Sequence, residues 1–352
     1  MEYYIGCDAH KKYSVFAGLS EGGEIIEAKR VGHERQEYRS FLEALPEGSQ
    51  IAVESVGNWY WLVDEMEKAG HRPYLVNAGK AKLMMGNINK TDKLDARGLA
   101  VMVRNGTLPE VWIPGGELRD QRELPRMRLV LVSMRTRLKN RVHAAFAKYG
   151  ITFEEASDIF GGKGRRMMEQ SLKELPPETR RTVEEQLRLI DEVEKSIKQA
   201  EKRIEGVIKE DRGMQLLKTL PGVGPILAMT IALEMGDVER FATGEKFASY
   251  AGKTPRVSSS GGKARYGRVR PDVNRYLKWA FTEAANAVVV QQRRLGDCHV
   301  LRLYWRVRQN KGHAKAVTAV GRHLAEAAYW MLKRDEAYHE PEVKDRASEG
   351  QG

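Results

Sequence analysis

The sequence predicts an α/β domain built on a mixed sheet covered by helices, followed by a helical coiled-coil segment and a mainly α-helical C-terminal domain. Three observations predict it. Strand and helix patterns alternate through the first third, apolar residues recur at heptad spacing from Val183 to Val207, and apolar helical runs dominate the last third. A chain of 352 residues can bury two or three separate cores. The boundaries read as 1–115, 116–210 and 211–335, with a polar tail over 336–352 expected to be disordered.

The elements follow in order. Tyr3-Tyr4-Ile5-Gly6-Cys7-Asp8 has the composition of a buried strand that ends in an acid. Tyr13 to Leu19 and Glu24 to Val31 are β-rich, and Glu21-Gly22-Gly23 between them is a hairpin signal. Tyr38, Phe41, Leu42 and Leu45 give residues 34–45 helical spacing. Gln50 to Glu54 is a second strand that ends in an acid, Trp59 to Ala69 is helical, and Gly70 suits its C-terminal stop. His71 to Val76 is a strand, and a helix carrying Asp92 and Asp95 comes after it.

In the middle third, Arg126 to Lys148 holds seven Lys or Arg residues and no acid. Val183, Ile190, Ile197 and Ile204 share one heptad position; Val193, Ala200 and Val207 share the other, which Gln186 interrupts. This predicts a coiled coil, either between two helices of one chain or between subunits. Gly161-Gly162-Lys163-Gly164 has no preceding strand and no following Gly-Lys-Ser/Thr, so it reads as a flexible turn rather than a phosphate loop. The last third opens with Leu220-Pro221-Gly222-Val223-Gly224-Pro225 and an apolar helix to Met235. A glycine-bearing loop follows over residues 252–267, then helices near 273–290 and 313–333.

Lys plus Arg exceed Asp plus Glu by 59 to 48, a net charge of +11, which points to a polyanionic partner such as nucleic acid. Cys7 and Cys298 are far apart and have no companions at metal-ligand spacing, which excludes a disulfide scaffold or zinc ribbon. No apolar run approaches the roughly 18 residues that span a bilayer, and no signal-peptide core opens the chain, so the expectation is a cytoplasmic protein with no membrane partner.

Asp92 and Asp95, at i, i+3, fall on one helix face. Alone they could be a solvated face neutralised by Lys90, Lys93 and Arg97. Asp8 and Glu54 each end a predicted strand, where sites of open α/β sheets lie, and parallel neighbouring strands would point both at one crevice. Four carboxylates suit two Mg²⁺ or Mn²⁺ ions clamping a phosphodiester. Cys7, one residue before Asp8, then faces the opposite side and belongs to the core. His10, two residues after it, could assist there but reads first as a satisfied surface histidine.

Gly6-Cys7-Asp8-Ala9-His10-Lys11, Val53-Glu54-Ser55 and Lys90-Thr91-Asp92-Lys93-Leu94-Asp95-Ala96 resemble the motifs of the DEDD-type insertion-sequence transposases of the IS one-ten family, which includes the Piv DNA invertases and the bridge-RNA-guided recombinases. The resemblance covers all but the tail. It implies a RuvC-like, RNase H-type fold for the first domain, with Asp8, Glu54, Asp92 and Asp95 as its Mg²⁺-binding tetrad. It also implies donor and target DNA as substrates, a bridge RNA as partner, a dimer or tetramer, and action at the bacterial or archaeal nucleoid.

Two further segments bear on DNA. The Gly222/Gly224 turn resembles that of helix-hairpin-helix modules, whose exposed amides bind phosphate without reading sequence, and Lys218 precedes it. Residues 253–270 hold six basic residues and no acid, and Arg256, Lys263, Arg265, Arg268 and Arg270 are the candidates for phosphate binding. The resemblance implies that a serine here attacks DNA to form a phosphoserine link; Ser260 directly precedes Gly261, and Ser259 is the alternative. The enzyme expected is thus a DNA transposase or recombinase. Competing readings are a junction-resolving nuclease, in which water attacks, and a non-catalytic nucleic-acid-binding protein.

Overall fold

The computed structural model describes residues 2–86, 91–260 and 263–341. Two compact units divide the chain, Met1–Pro114 and Gly115–Gly352.

The first unit contains strands β1 (Tyr3–Ala9), β2 (Tyr13–Ser20) and β3 (Ile25–Gly32), helix α1 (Arg35–Glu43), β4 (Gln50–Glu54), α2 (Trp59–Lys68), β5 (Arg72–Val76), α3 (Ala78–Met85), α4 (Asp92–Arg104) and the short β6 (Glu110–Val111). The strands form one mixed sheet in the order β3-β2-β1-β4-β5-β6. β1, β2 and β3 pair antiparallel, β1, β4 and β5 pair parallel, and β6 returns antiparallel. Strand alternation sorts side chains between the two faces. Ile5, Cys7, Phe16, Ile51, Val53 and Leu75 bury against Tyr38 and Leu42 of α1 and Leu62, Val63 and Met66 of α2. The other face meets α3 and α4: Ala52 and Val76 join Ala81, Leu99, Met102 and Val103.

At Gly6 the approach of α4 is so close that a Cβ would lie 1.8 Å from the Ala96 carbonyl oxygen. Only glycine fits there, and the contact holds α4 tightly against β1. Thr91 starts α4 by accepting the Leu94 amide on its hydroxyl, at 3.3 Å. The helix α3 and strand β6 were not legible in the sequence, being short and weakly patterned.

The second unit begins with α5 (Gly116–Ala147), α6 (Gly162–Ser171) and α7 (Pro177–Val207). The heptad seam is filled within the chain. Val183, Ile190, Ile197, Ala200 and Ile204 of α7 are buried, and the two long helices run antiparallel, as ion pairs Arg128–Glu201 at 2.6 Å and Lys139–Glu194 at 3.5 Å require. Gln186 is buried in the seam, whereas Val207 is exposed. These pairs, with Arg135–Glu194, absorb part of the basic run on α5. The glycine cluster at 161–164 is not a flexible turn: α6 starts inside it, and Gly164 packs 2.3 Å (as a would-be Cβ) from the Ile159 backbone.

The remaining elements are α8 (Arg212–Leu217), α9 (Pro225–Met235), α10 (Gly244–Tyr250), β7 (Pro255–Ser260), β8 (Lys263–Val269), α11 (Arg275–Val290), α12 (Gln292–Leu295), α13 (His299–Lys311) and α14 (His313–Arg334). The helices enclose one apolar core including Phe247, Phe281, Tyr304 and Leu324. The expected glycine-bearing loop is instead an antiparallel hairpin, β7 with β8, whose register includes Ser259↔Ala264 and Ser260↔Lys263. Two strand-forming runs separated by Gly-Gly carry that signal in the sequence. Gly261 and Gly262 lie outside the described residues, as do Lys90 and the tail from 342 onward. The tail departs from the expected disorder at its start: the Tyr338 amide donates to the Thr219 hydroxyl at 2.9 Å, and Glu340 accepts the His299 amide at 2.6 Å, capping α13.

Candidate active site

Asp8 lies near the end of β1 and is only 8% exposed. In β1 and β4 the pairs run Tyr4↔Gln50 to Cys7↔Val53. Continued by one pair, that register sets Asp8 beside Glu54, on the same face as Gly6 and Ala52 and therefore towards α4. Asp92 and Asp95 occupy the first turn of α4, where the helix dipole favours carboxylates. Because Gly6 draws Ala96 against the strand, the first turn is carried to the end of β1. Cys7 points the opposite way into the core, and burial pushes its thiol up to about 12.

His10 brings two of the acids together. Its Nε2 lies 3.2 Å from Asp8 Oδ2 and 3.2 Å from Asp92 Oδ2. That nitrogen is buried but has hydrogen-bond geometry to neither. Tyr13 donates its hydroxyl to Asp92 Oδ2 at 3.2 Å and stacks on the His10 ring, with centroids 4.5 Å apart. Arg30 covers Tyr13 at 3.8 Å, and Asn58 donates to the His10 carbonyl at 3.0 Å. Burial first, then the charges of Asp92 and Asp95, raise the Asp8 pKa, while His10 lowers it. The pocket therefore resists its own negative charge, as expected where a cation belongs.

The donor set fits such a cation. Ligand atoms of Asp8, His10 and Asp92 all lie within 4.8 Å of one another. Neighbouring vertices of an octahedron with bonds of about 2.1 Å are about 3 Å apart, close to the two 3.2 Å separations. Strand and helix periodicity alone places neither His10 nor Tyr13 in this cluster. The β1–β2 connection brings both in, since the His10 amide donates to the Tyr13 carbonyl at 2.9 Å.

Ser259, which is exposed, and Ser260 belong to the second unit, on β7. Arg256, Arg265 and Arg268 are exposed on the same hairpin, and Lys263 opens β8. Arg270, exposed at the end of the hairpin, forms an ion pair with Asp272 that raises its pKa. Asn274 closes the hairpin base: its amide donates to the Tyr250 carbonyl at 2.8 Å.

The Gly222/Gly224 turn enters α9 with Pro225 at its first position. Gly222 has φ +77° and fits under α11, where a Cβ would come within 2.2 Å of the Ala284 carbonyl oxygen, so its glycine is accounted for by packing. Gly224 is open to solvent. Lys218 pairs with Glu210 at 2.6 Å on the surface beside this turn.

Residues 5–151 match the family model for DEDD transposases of the IS110 type, and residues 214–299 match that of the transposase IS116/IS110/IS902 family. The chain is 27% identical over 293 residues to a probable family 20 transposase of Pseudomonas aeruginosa, covering 81% of this chain and 83% of that one. It is 24% identical over 337 residues to the transposase for insertion sequence element IS1111A of Coxiella burnetii, covering 95% and 90%. A third relative, the transposase for insertion sequence element IS1328 of Yersinia enterocolitica, is 24% identical over 74% of this chain and 76% of its own length. Asp8, Glu54, Asp92 and Asp95 fall inside the first matched segment and the serine hairpin inside the second, and the chain belongs to the IS110 family of DEDD transposases.

Proposed function

We propose that this protein is a DNA transposase that breaks and rejoins DNA strands as a site-specific recombinase, with Mg²⁺ in the first unit and a serine nucleophile in the second. The observation that carries the reading is the convergence of Asp8, His10 and Asp92 at one buried strand end, with the Asp8 pKa raised by the charges around it. Asp8 and Asp92 would hold the ion, with Asp95 and Glu54 completing the tetrad. A bound Mg²⁺ or Mn²⁺ supplies charge neutralisation at the attacked phosphodiester and at its leaving oxygen. Tyr13 fixes the orientation of Asp92 through its hydrogen bond. The antiparallel β1–β2–β3 meander continued by parallel β4 and β5 supports a RuvC-like, RNase H-type domain.

In the second unit, Arg256, Lys263, Arg265 and Arg268 would bind the backbone phosphates on either side of the reacting one. The hydroxyl oxygen of Ser260 would bond to phosphorus as the ester bond to the departing strand breaks. The phosphoserine link conserves the bond energy for rejoining, so no nucleoside triphosphate is consumed. Gly222 and Gly224 would present turn amides to DNA without specifying sequence. A bridge RNA would direct the choice of DNA, consistent with the chain's positive charge. Met127, Val130 and Met134 form an exposed apolar stripe on α5, which supports a homo-oligomer, and the work would be done on the nucleoid.

The test is strand cleavage in Mg²⁺ with labelled DNA. Asp92→Asn keeps the side-chain size and removes the charge, and cleavage should fall by several orders of magnitude while the fold survives. Near wild-type cleavage by Asp92→Asn and by Asp95→Asn would refute the tetrad.

A further inference from the structure

From Ala284 to Ala325 the chain carries eight Lys or Arg residues and a single acid, Asp297. Seven of the eight fall between Arg293 and Lys315, beyond or at the end of the matched family segment, and all seven are exposed. Among the described residues, Asp297 pairs with Arg302, at 3.1 Å. Glu340 is engaged at the N-terminus of α13 by the His299 amide, two turns away from the basic end of the helix. Arg293, Arg294, Arg306, Lys311 and Lys315 have no acidic partner among the described residues.

In the middle of this field stands Trp305. Val300, Leu301 and Tyr304 anchor α13 in the core, and i, i+3 and i+4 spacing puts Arg302, Trp305, Arg306 and Gln309 together on the outward face. A buried position would suit an indole better, yet Trp305 is 40% exposed. Arg308 lies over its ring at 4.8 Å, and Tyr304 meets it edge-on at 5.3 Å, so the ring is held in place. A fixed aromatic plane flanked by guanidinium groups and unpaired cations combines the two terms of single-strand recognition, base stacking and backbone attraction. Duplex DNA would use the cations alone, because its base faces are covered by neighbouring pairs.

We propose that the outward face of α13 binds unpaired DNA, with a base stacked on Trp305 and flanking phosphates held by Arg306, Arg308 and Lys311. The assignment rests on the DNA strand-breaking reading, since breakage is what frees unpaired strand near the protein, but binding needs neither the metal nor the serine.

The experiment uses the full-length protein in EDTA, titrated with a fluorescein-labelled 20-mer of thymidine, a uridine 20-mer and a blunt 20-base-pair duplex. Trp305→Ala should weaken thymidine 20-mer binding roughly ten-fold or more and duplex binding less than two-fold. Trp305→Phe, which keeps a stacking ring, should recover most of the loss. Arg306→Gln with Lys311→Gln should flatten the salt dependence of single-strand affinity by about 0.7 per cation in log–log slope. Unchanged single-strand affinity in Trp305→Ala would overturn the proposal, as would an equal loss on the duplex. Tighter binding of the uridine 20-mer would overturn its assignment to DNA, and Trp305-dependent self-association without nucleic acid would assign the face to a second copy instead. Loss of cleavage in Asp92→Asn with binding intact would leave this site standing whatever becomes of the catalytic reading.

Discussion

Replacing Gly6 by Ala should disable the metal site without touching a ligand. The new Cβ would lie 1.8 Å from the Ala96 carbonyl oxygen and 2.8 Å from the Ala100 amide nitrogen, both backbone atoms of α4 that no rotamer can move aside. Reaching even the 3.0 Å lower limit of real Cβ contacts requires α4 to back away by about 1.2 Å. Overpacking of this kind costs about 1–3 kcal/mol, a fall in melting temperature of about 4 °C per kcal/mol for a unit of this size. Asp92 and Asp95 ride on the first turn of α4 while Asp8 stays with β1, so the displacement opens the cluster. A misplacement of about 1 Å can cost on the order of 100-fold in rate. Melting curves and Mn²⁺-dependent cleavage, measured side by side, give the check. A Gly6→Ala protein with wild-type melting and cleavage would refute the claim that α4 is seated on this glycine.

Other predictions follow the same logic. The raised Asp8 pKa means that its ionisation opposes folding: the benefit of the protonated group is present at low pH and disappears as pH rises through the folded pKa. At pH 7, Asp8→Asn should therefore melt no lower than wild type, and Mg²⁺ or Mn²⁺ should raise the melting temperature of wild type alone; a shared metal response would sink the assignment. Buried Lys253, lowered to about 8 by burial and by Lys278, binds fewer protons folded than unfolded from about pH 8 to its ordinary value near 10.5. Stability of the second unit should rise with pH over that window, and Lys253→Met should abolish the rise in urea titrations. Polar substitution of Ile197 should destabilise the α5–α7 hairpin by about 2 kcal/mol or more without changing the mass in light scattering, because the seam is internal; dissociation on dilution would contradict this. Detergent quenching should trap a DNA adduct that Ser260→Ala abolishes; full cleavage by a Ser258/Ser259/Ser260 triple alanine would show that water attacks instead.

The first unit was legible because its elements are long relative to their noise. β4 runs over the expected Gln50–Glu54, and the acid-ended strands do lie side by side in parallel. Periodicity also reports faces, so Cys7 could be assigned to the core from its position alone. Chain proximity that depends on a turn is not written in periodicity. His10 looked like a surface residue until the β1–β2 connection stacked it on Tyr13 and set it between two carboxylates. Charge runs mislead for a related reason: Lys218 and Arg270 find acids just outside their own basic stretches, and five of the eight α5 cations pair with acids of α7 and α9. Glycines likewise have two uses. Gly164 and Gly222 make room for backbone, a packing demand that a one-dimensional pattern cannot separate from flexibility.

Glu234, wholly buried on α9, accepts from Arg126 of α5 at 2.7 Å and from the side chain of Asn274 at 2.8 Å, and Asn274 in turn caps α11 and closes the serine hairpin. Arg122 of α5 grips the same turn through the Leu233 and Glu234 carbonyls. The 32 residues of α5 form a rod of about 48 Å, with its root fastened to the base of the strand pair that bears Ser260. Such an arrangement is a lever with a keyed fulcrum. Swinging the rod by about 10° about Arg122 and Arg126 would carry its far end, about 35 Å away, by about 6 Å while the root turns through the same small angle. A rotation of the root would bear on the base of the serine hairpin chiefly at Glu234, the buried carboxylate that Arg126 and Asn274 share.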